Sequence, residues 1–215
     1  MELFVDNMTQ WAVVFNSIFE ILSSMASLAV GYYAFNNYRF TKLKPLFHIY
    51  FSFLIQGAGL ATHGIIKIVF VAASHRPFVN PVRSPIFSTS YTLYFIAQAV
   101  AYIILIYAYL GRRSATPLLL ATSISMLREY EPLSQLLLFF LALLLSYETF
   151  INYRASKEKN SFYVFLGFVL LALGHLTFVM IPSSRIFLYL ASILQFSGFA
   201  LFLTMVMKVR SVASL

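Results

Sequence analysis

Cysteine is absent from this 215-residue chain, and charged residues make up only 10% of it. Without cysteine the chain has no disulfide, no thiolate metal site and no cysteine nucleophile. A soluble domain carries about 25% charged residues, so this chain has too few to cover a water-facing surface. Acidic residues are especially scarce, with 7 Asp and Glu against 15 Lys and Arg. The composition predicts an integral membrane protein whose main partner is the lipid bilayer.

Recognisable catalytic motifs are also missing. The sequence contains no P-loop, nucleophile elbow or HExxH pattern, so we expect no independent enzyme activity. The first residues, MELFVDNMTQ, lack the basic region and small-residue site of a cleaved signal peptide. The net charge of +8 comes from Lys and Arg that lie between apolar runs. These residues are expected to set membrane topology and meet anionic lipid rather than nucleic acid.

Hydrophobic residues make up 60% of the chain and fall into runs separated by short polar loops. The pattern predicts an all-α integral membrane protein of about seven transmembrane helices, with residues 1–215 forming one multi-pass domain of the cell membrane. The fourth run has 12 residues and spans only about 18 Å as a helix, so a re-entrant or surface helix is the alternative. The predicted spans are 11–35, 47–72, 88–110, 116–127, 133–151, 161–181 and 185–207.

The distribution of basic residues favours seven spans over six. With seven spans and the N-terminus outside, ten Lys and Arg lie on the inner side and four on the outer side. With six spans the count becomes seven against seven. Because Lys and Arg are enriched in inner loops, we expect an outer N-terminus and an inner C-terminus. The ten are Arg39, Lys42, Lys44, Arg112, Arg113, Arg154, Lys157, Lys159, Lys208 and Arg210; the four are Arg76, Arg83, Arg128 and Arg185.

A polar loop motif recurs after 115 residues. The segment NYRFTKLK at 37–44 returns as NYRASKEK at 152–159, and Gly59 returns as Gly174. The sequence therefore predicts a 3+1+3 internal repeat, with repeat 1 at 11–110, a linker helix at 116–127 and repeat 2 at 133–208. An odd linker gives both repeats the same orientation.

Parallel three-helix repeats joined by one helix are the architecture of the SWEET sugar transporters. This chain resembles that family in span count, length and orientation, which implies a small transporter. It lacks the family's prolines inside spans 1, 2, 5 and 6. A microbial rhodopsin is excluded, because the only lysine of span 7 is Lys208 at its inner end.

Several ionisable and amide side chains are predicted at similar depth in the outer half of the membrane. Counting along each span at about 1.5 Å per residue places them roughly 10–15 Å below the outer surface. Lys67 shares a helix face with His63. Glu20 is predicted to pair with Lys67, to hydrogen-bond His63 or to act as a proton or cation site. Such side chains are costly in a membrane and require a partner or a function. The predicted layer consists of Glu20, His63, Gln98, His175 and Gln195.

Three functions are compatible with this layer, of which the first is the preferred prediction and the other two are alternatives. His63 and His175 have small neighbours and are candidate axial ligands of one haem b in a redox or respiratory membrane subunit, with Arg76 and Arg185 near its propionates. The second is a transporter whose pocket contains Glu20, Lys67, Gln98 and Gln195. The third is a sensory or scaffold module that acts with other membrane subunits. Plain helix–helix packing would also use such residues, at about 0.6 kcal/mol for each hydrogen bond.

Overall fold

A computed structural model describes the backbone of residues 2–73, 85–110 and 131–213, and the side chains of 11–73, 85–109 and 132–208. These residues form six long α-helices. Those described residues contain no strand. The predicted run at 116–127 lies outside the described residues. The helices are α1 (Glu2–Thr41), α2 (Lys44–Ala73), α3 (Pro85–Leu110), α4 (Glu131–Ser156), α5 (Lys159–Val179) and α6 (Ile186–Ala213).

All six helices are long and apolar enough to cross a bilayer, with mean hydropathies of 1.5 to 2.1. Large apolar side chains such as Trp11 and Met25 point outward, at 71% and 64% exposure. Many polar side chains are instead buried. A water-soluble protein has the opposite distribution. The prediction of an all-helical, multi-pass membrane protein surrounded by lipid is therefore confirmed.

The six helices form a ring. Each helix packs against its neighbours in the chain, and α6 packs against α1. Later residues of α1 contact earlier residues of α2, since Phe35 packs on Tyr50 whereas Glu20 contacts Lys67. The same reversed order joins α2 to α3, α4 to α5 and α5 to α6. These four pairs are therefore antiparallel.

Helices α1 and α6 are parallel. Phe15 packs on Tyr189 and Phe19 packs on Phe196, so the contacts advance together along both helices. It follows that α1, α3, α4 and α6 point one way, and α2 and α5 the other. The described helices thus form two trios, α1–α3 and α4–α6, with the same orientation. Helix α3 ends at the face of the bundle opposite to the one at which α4 begins.

Two turns of the same geometry lie on one face of the bundle. Lys42 and Lys157 have φ values of 57° and 53°. Each donates its backbone N–H to the carbonyl of the residue four positions earlier, at 2.8 and 2.7 Å, which satisfies a carbonyl at the end of the preceding helix. The aromatic rings that flank each turn pack at 5.3 and 5.2 Å. We call this end of the bundle the basic face; its exposed charged residues are Arg39, Lys42, Lys44, Arg154, Lys157, Glu158, Lys159 and Lys208.

Small residues allow the helices to approach closely. Ser27 donates a hydrogen bond to the carbonyl of Phe53 across the α1–α2 contact, at 2.8 Å. Between α5 and α6, a Cβ atom at Gly198 would lie 2.9 Å from the carbonyl oxygen of Gly167. Membrane helices associate through such close packing, since lipid supplies no hydrophobic driving force between them.

Candidate functional site

A buried ion pair lies in the half of the bundle away from the basic face. The Nζ atom of Lys67 is 2.6 Å from Oε1 of Glu20 and 2.5 Å from Oδ1 of Asn16. Glu20 and Lys67 are only 5% and 7% exposed. Asn16 in turn donates its amide to Oγ of Ser192 at 2.9 Å. These four residues connect α1 to α2 and α6. Together with His63, we call them the Glu20 cluster.

The spacing of these residues explains why they meet. Asn16 and Glu20 are four residues apart on α1, and His63 and Lys67 are four residues apart on α2. Side chains at this spacing share one face of a helix, and the two faces oppose each other in the antiparallel pair. In a low-dielectric interior a lone carboxylate or ammonium is strongly disfavoured. The pairing therefore allows both charges to stay inside the bundle.

His63 is the least satisfied member of the Glu20 cluster. Its Nδ1 atom lies 3.3 Å from Oε1 of Glu20, but the pair does not meet the geometry of a hydrogen bond. Among the described residues, neither ring nitrogen of His63 nor Oε2 of Glu20 has a hydrogen-bond partner. An unsatisfied buried polar atom costs about 1–3 kcal/mol. A water molecule or a small polar ligand between these three atoms would satisfy them.

Aromatic rings enclose His63 on the side of α3. Its imidazole stacks on Tyr94 with a centroid distance of 4.9 Å and an angle of 21°. The rings of Phe87 and Tyr91 both lie 5.9 Å from it. One side of the imidazole is therefore covered by aromatic rings, while its Nδ1 atom lies near Glu20.

A second buried group surrounds His175 and carries no full charge. The hydroxyl of Tyr102 lies 2.9 Å from Nε2 of His175, and Oε1 of Gln135 lies 2.8 Å from its Nδ1. These contacts fit a neutral imidazole whose Nδ1–H donates to Gln135 and whose Nε2 accepts from Tyr102. Gln195 approaches the same Nδ1 at 3.4 Å. The contact with Gln135 is the hydrogen bond, because it is shorter and because a protonated Nδ1 has no lone pair to accept a hydrogen bond from the Gln195 amide.

Tyr91 lies between the Glu20 cluster and the group around His175, and it contacts both at a similar depth in the bundle. Its hydroxyl accepts a hydrogen bond from Nε2 of Gln135 at 3.2 Å and bonds to Ser134. Its ring packs near His63. Residues from α2, α3 and α4 therefore meet at one level of the bundle.

Comparison with known proteins does not supply a function. No protein-family model, curated protein or solved structure matches this chain. The described residues also contain no group of three or more His, Asp or Glu side chains placed to hold a metal ion. The chemistry of the two buried groups is therefore the basis for the function proposed below.

The residues that the sequence predicts as one polar layer belong to different groups in the structure. Glu20, His63 and Lys67 lie together, whereas His175 and Gln195 belong to the second group. The remaining amide, Gln98, is 2% exposed and accepts a hydrogen bond from Gln56 at 2.6 Å. Arg185 is exposed in the turn before α6, and Arg76 lies outside the described residues.

Sequence reasoning missed several members of the layer. Asn16 lies one helical turn before Glu20, so its place on the same face was readable from spacing alone. Gln135 follows Glu20 by 115 residues, which is the offset of the repeated loop motif. If the repeat is extended toward the N-terminus of α1, Glu20 aligns with Gln135. Tyr91 and Tyr102 carry no sequence signal that separates them from other tyrosines.

The contacts of the two histidines bear on whether they can ligate one haem. An axial ligand needs a free nitrogen lone pair directed at the iron. Both nitrogens of His175 are hydrogen-bonded to protein side chains. By contrast, Tyr94 stacks on a face of the His63 ring, and neither nitrogen of His63 has a hydrogen-bond partner among the described residues. Haem binding would require at least one of the His175 contacts to break.

Proposed function

We propose that this chain is a small transporter of the permease type, with Glu20, His63 and Lys67 as its proton- and ligand-binding site. The observation that supports this best is a buried ionisable triad in which three polar atoms have no hydrogen-bond partner among the described residues. Ionisable side chains within a membrane bundle are costly, and they commonly mark substrate or ion pathways. Plain packing needs no such triad, because Ser and Gln supply interhelical hydrogen bonds without charge.

The site also lies where movement would be coupled to binding. Glu20 and Lys67 belong to the first trio of helices, whereas Ser192 belongs to α6 of the second trio. Protonation of Glu20 would remove the negative charge that holds Lys67 and would weaken the contact through Asn16 to Ser192. In transporters built from repeats, one repeat moves against the other around a site between them. Proton uptake at Glu20 would thus bias how the two trios pack.

The same proposal includes the 3+1+3 architecture with seven spans. Two features support duplication: the parallel trios and the matching turns at Lys42 and Lys157. Helix α3 ends at the basic face and α4 begins at the opposite face. This arrangement supports the proposal of a seventh span within 116–127. With the basic face inside, the N-terminus is outside and the C-terminus inside.

Single cysteines test this topology without background labelling, because the natural chain has none. Thr41→Cys and Ser156→Cys are both expected to resist a membrane-impermeant maleimide added to intact cells and to react after permeabilisation. Ser183→Cys, in the turn between α5 and α6, is the control and is expected to react from outside. Labelling of positions 41 and 156 from opposite sides would contradict the parallel repeat.

Transport is tested with purified protein in liposomes that contain a pH-sensitive dye. A panel of sugars, amino acids and organic acids is applied under an imposed membrane potential, and proton flux is recorded. The wild-type protein is expected to show flux that depends on one solute class. Glu20→Gln is expected to reduce this flux to that of empty liposomes, since an amide carries no exchangeable carboxyl proton.

Two further variants make the transport test specific. Glu148→Gln removes another glutamate of a membrane helix, outside the Glu20 cluster, and is expected to retain the flux. The double variant Glu20→Gln, Lys67→Met leaves no unpaired buried charge, so it separates loss of function from loss of folding. Wild-type flux in this double variant, or no solute-dependent flux in the wild type, would refute the proposed function.

A redox membrane subunit with one haem b between His63 and His175 is the alternative. The shared depth of the two histidines, through Tyr91, supports it. A reduced-minus-oxidised spectrum of the detergent-purified protein is expected to contain a b-type band if this alternative holds and none for the transporter. A sensory or scaffold module would instead co-purify with other membrane subunits.

A further inference from the structure

A second feature of the interior is an apolar cavity in the half of the bundle next to the basic face. Its volume is about 230 Å³, and side chains of five helices line it. Val30 and Ala34 come from α1, and Leu105 comes from α3. Asn37 and Tyr109 are its polar lining residues, and both lie near the ends of their helices at the basic face. The cavity is therefore apolar in its depth and polar toward one end.

Three aromatic rings close the deep end of this cavity. Phe53 and Phe168 pack on Phe202 at centroid distances of 5.4 and 4.8 Å. All three rings are at most 4% exposed and line the cavity. Gln56 and His175 lie one and two turns beyond Phe53 and Phe168, in the direction away from the basic face. The rings thus separate the cavity from the polar layer, and the cavity is distinct from the Glu20 cluster.

The size of the cavity limits what it can hold. An apolar cavity of about 150 Å³ stays dry and takes up a benzene-sized molecule. Sites for drug-sized ligands start at roughly 300 Å³. A volume between these values suits one short hydrocarbon chain and is too small for both acyl chains of a phospholipid.

The charge of the basic face favours an anionic head group at the polar end of the cavity. The basic face carries seven exposed Lys and Arg side chains and one exposed glutamate, Glu158, among the described residues. Lys44 begins α2 two residues before Leu46, which lines the cavity. An anionic head group placed at this end would meet favourable charge, while its chain would lie among apolar side chains.

We propose that this cavity binds a single-chain anionic amphiphile, a medium-chain carboxylate, with its chain against Phe53, Phe168 and Phe202 and its carboxylate at the basic face. This site goes beyond the proposed transport function and does not depend on it. The Glu20→Gln variant is expected to bind the carboxylate as the wild type does, so failure of one proposal is distinguishable from failure of the other.

Radiolabelled decanoate is the probe, with the full chain in nanodiscs of zwitterionic phospholipid and empty nanodiscs as background. We expect a saturable component of one decanoate per chain above the linear partitioning into lipid. Ala34→Phe fills the cavity and is expected to abolish this component. Ala58→Phe makes the same change at an exposed position of α2 and is expected to leave it intact. If Ala34→Phe fails to fold, Val206→Phe, which fills the same cavity, replaces it.

Chain length and head group provide two further readouts. From hexanoate to decanoate, the affinity is expected to rise by about fourfold per added methylene, as burial of about 0.8 kcal/mol per CH₂ implies. Decanoate is expected to compete better than decanol or decylamine, and Lys44→Gln is expected to weaken decanoate binding. Equal competition by decylamine, saturable binding that survives both cavity-filling variants, or a co-purified phospholipid that decanoate does not displace would overturn the proposal.

Discussion

Replacement of Lys67 by methionine is expected to destabilise the bundle by about 3–5 kcal/mol, which is the typical cost of removing one partner from a buried ion pair. The reason is the isolation of Glu20. Its Oε1 atom would lose the ammonium at 2.6 Å, while Oε2 has no partner among the described residues. The measurement is the free energy of unfolding in a titration of detergent-solubilised protein with SDS, followed by circular dichroism.

The double variant Glu20→Gln, Lys67→Met is expected to recover most of this loss. Replacement of a whole buried ion pair by neutral side chains is often neutral or stabilising, so the cycle of single and double variants isolates the interaction between the two residues. Lys159→Met removes an exposed lysine and is the control, with an expected change within about 0.5 kcal/mol. A Lys67→Met variant as stable as this control would show that the ion pair is not buried in the bundle.

Replacement of Gly198 by valine is expected to cost about 3 kcal/mol, at the upper end of the usual range for overpacking. A Cβ atom there would lie 2.9 Å from the carbonyl oxygen of Gly167 and 3.0 Å from the side chain of Leu171. Because the first of these atoms belongs to the backbone of α5, it has no rotamer change that relieves the clash. The helices would have to separate, and the packing of the second trio would loosen. The same SDS titration measures the loss.

Ala58→Val is the control for this substitution. Ala58 is exposed on α2, so the added methyl groups meet lipid and a change within about 0.5 kcal/mol is expected. Equal stability of the Gly198→Val and Ala58→Val variants would contradict the close approach of α5 and α6. A loss in Gly198→Val together with wild-type decanoate binding would show that the cavity tolerates a shift of α6.

The extent of the helices was predictable because it depends on local composition. The runs at 47–72 and 88–110 correspond to α2 and α3 within a few residues, since a hydrocarbon environment requires about 20 consecutive apolar residues in a span. The first run was predicted to end at residue 35, whereas α1 continues to Thr41. Its last turn carries polar residues such as Asn37 and Arg39, which lower the apolar signal without breaking a helix.

Counting residues along each span predicted similar depths for Glu20, His63 and Gln98, but it could not predict their hydrogen-bond partners. Depth does not determine which helices are neighbours, and the ring order assigns Gln98 to Gln56 rather than to Glu20. The protonation pattern of His175 likewise depends on Tyr102 and Gln135, which reach it from α3 and α4.

The sequence by itself determined that this protein is a membrane bundle. The apolar runs and the scarcity of charge are properties of local composition, and local composition decides whether a segment enters the bilayer. The sequence also determined which ionisable groups would be buried, since burial follows from their position within a span. Only the tertiary structure decided that Lys67 satisfies Glu20, while neither nitrogen of His63 has a hydrogen-bond partner among the described residues. Both side chains lie on the same face of α2, so the difference depends on how each one reaches Glu20: the Lys67 ammonium lies 2.6 Å from Oε1, whereas Nδ1 of His63 lies at 3.3 Å without hydrogen-bond geometry.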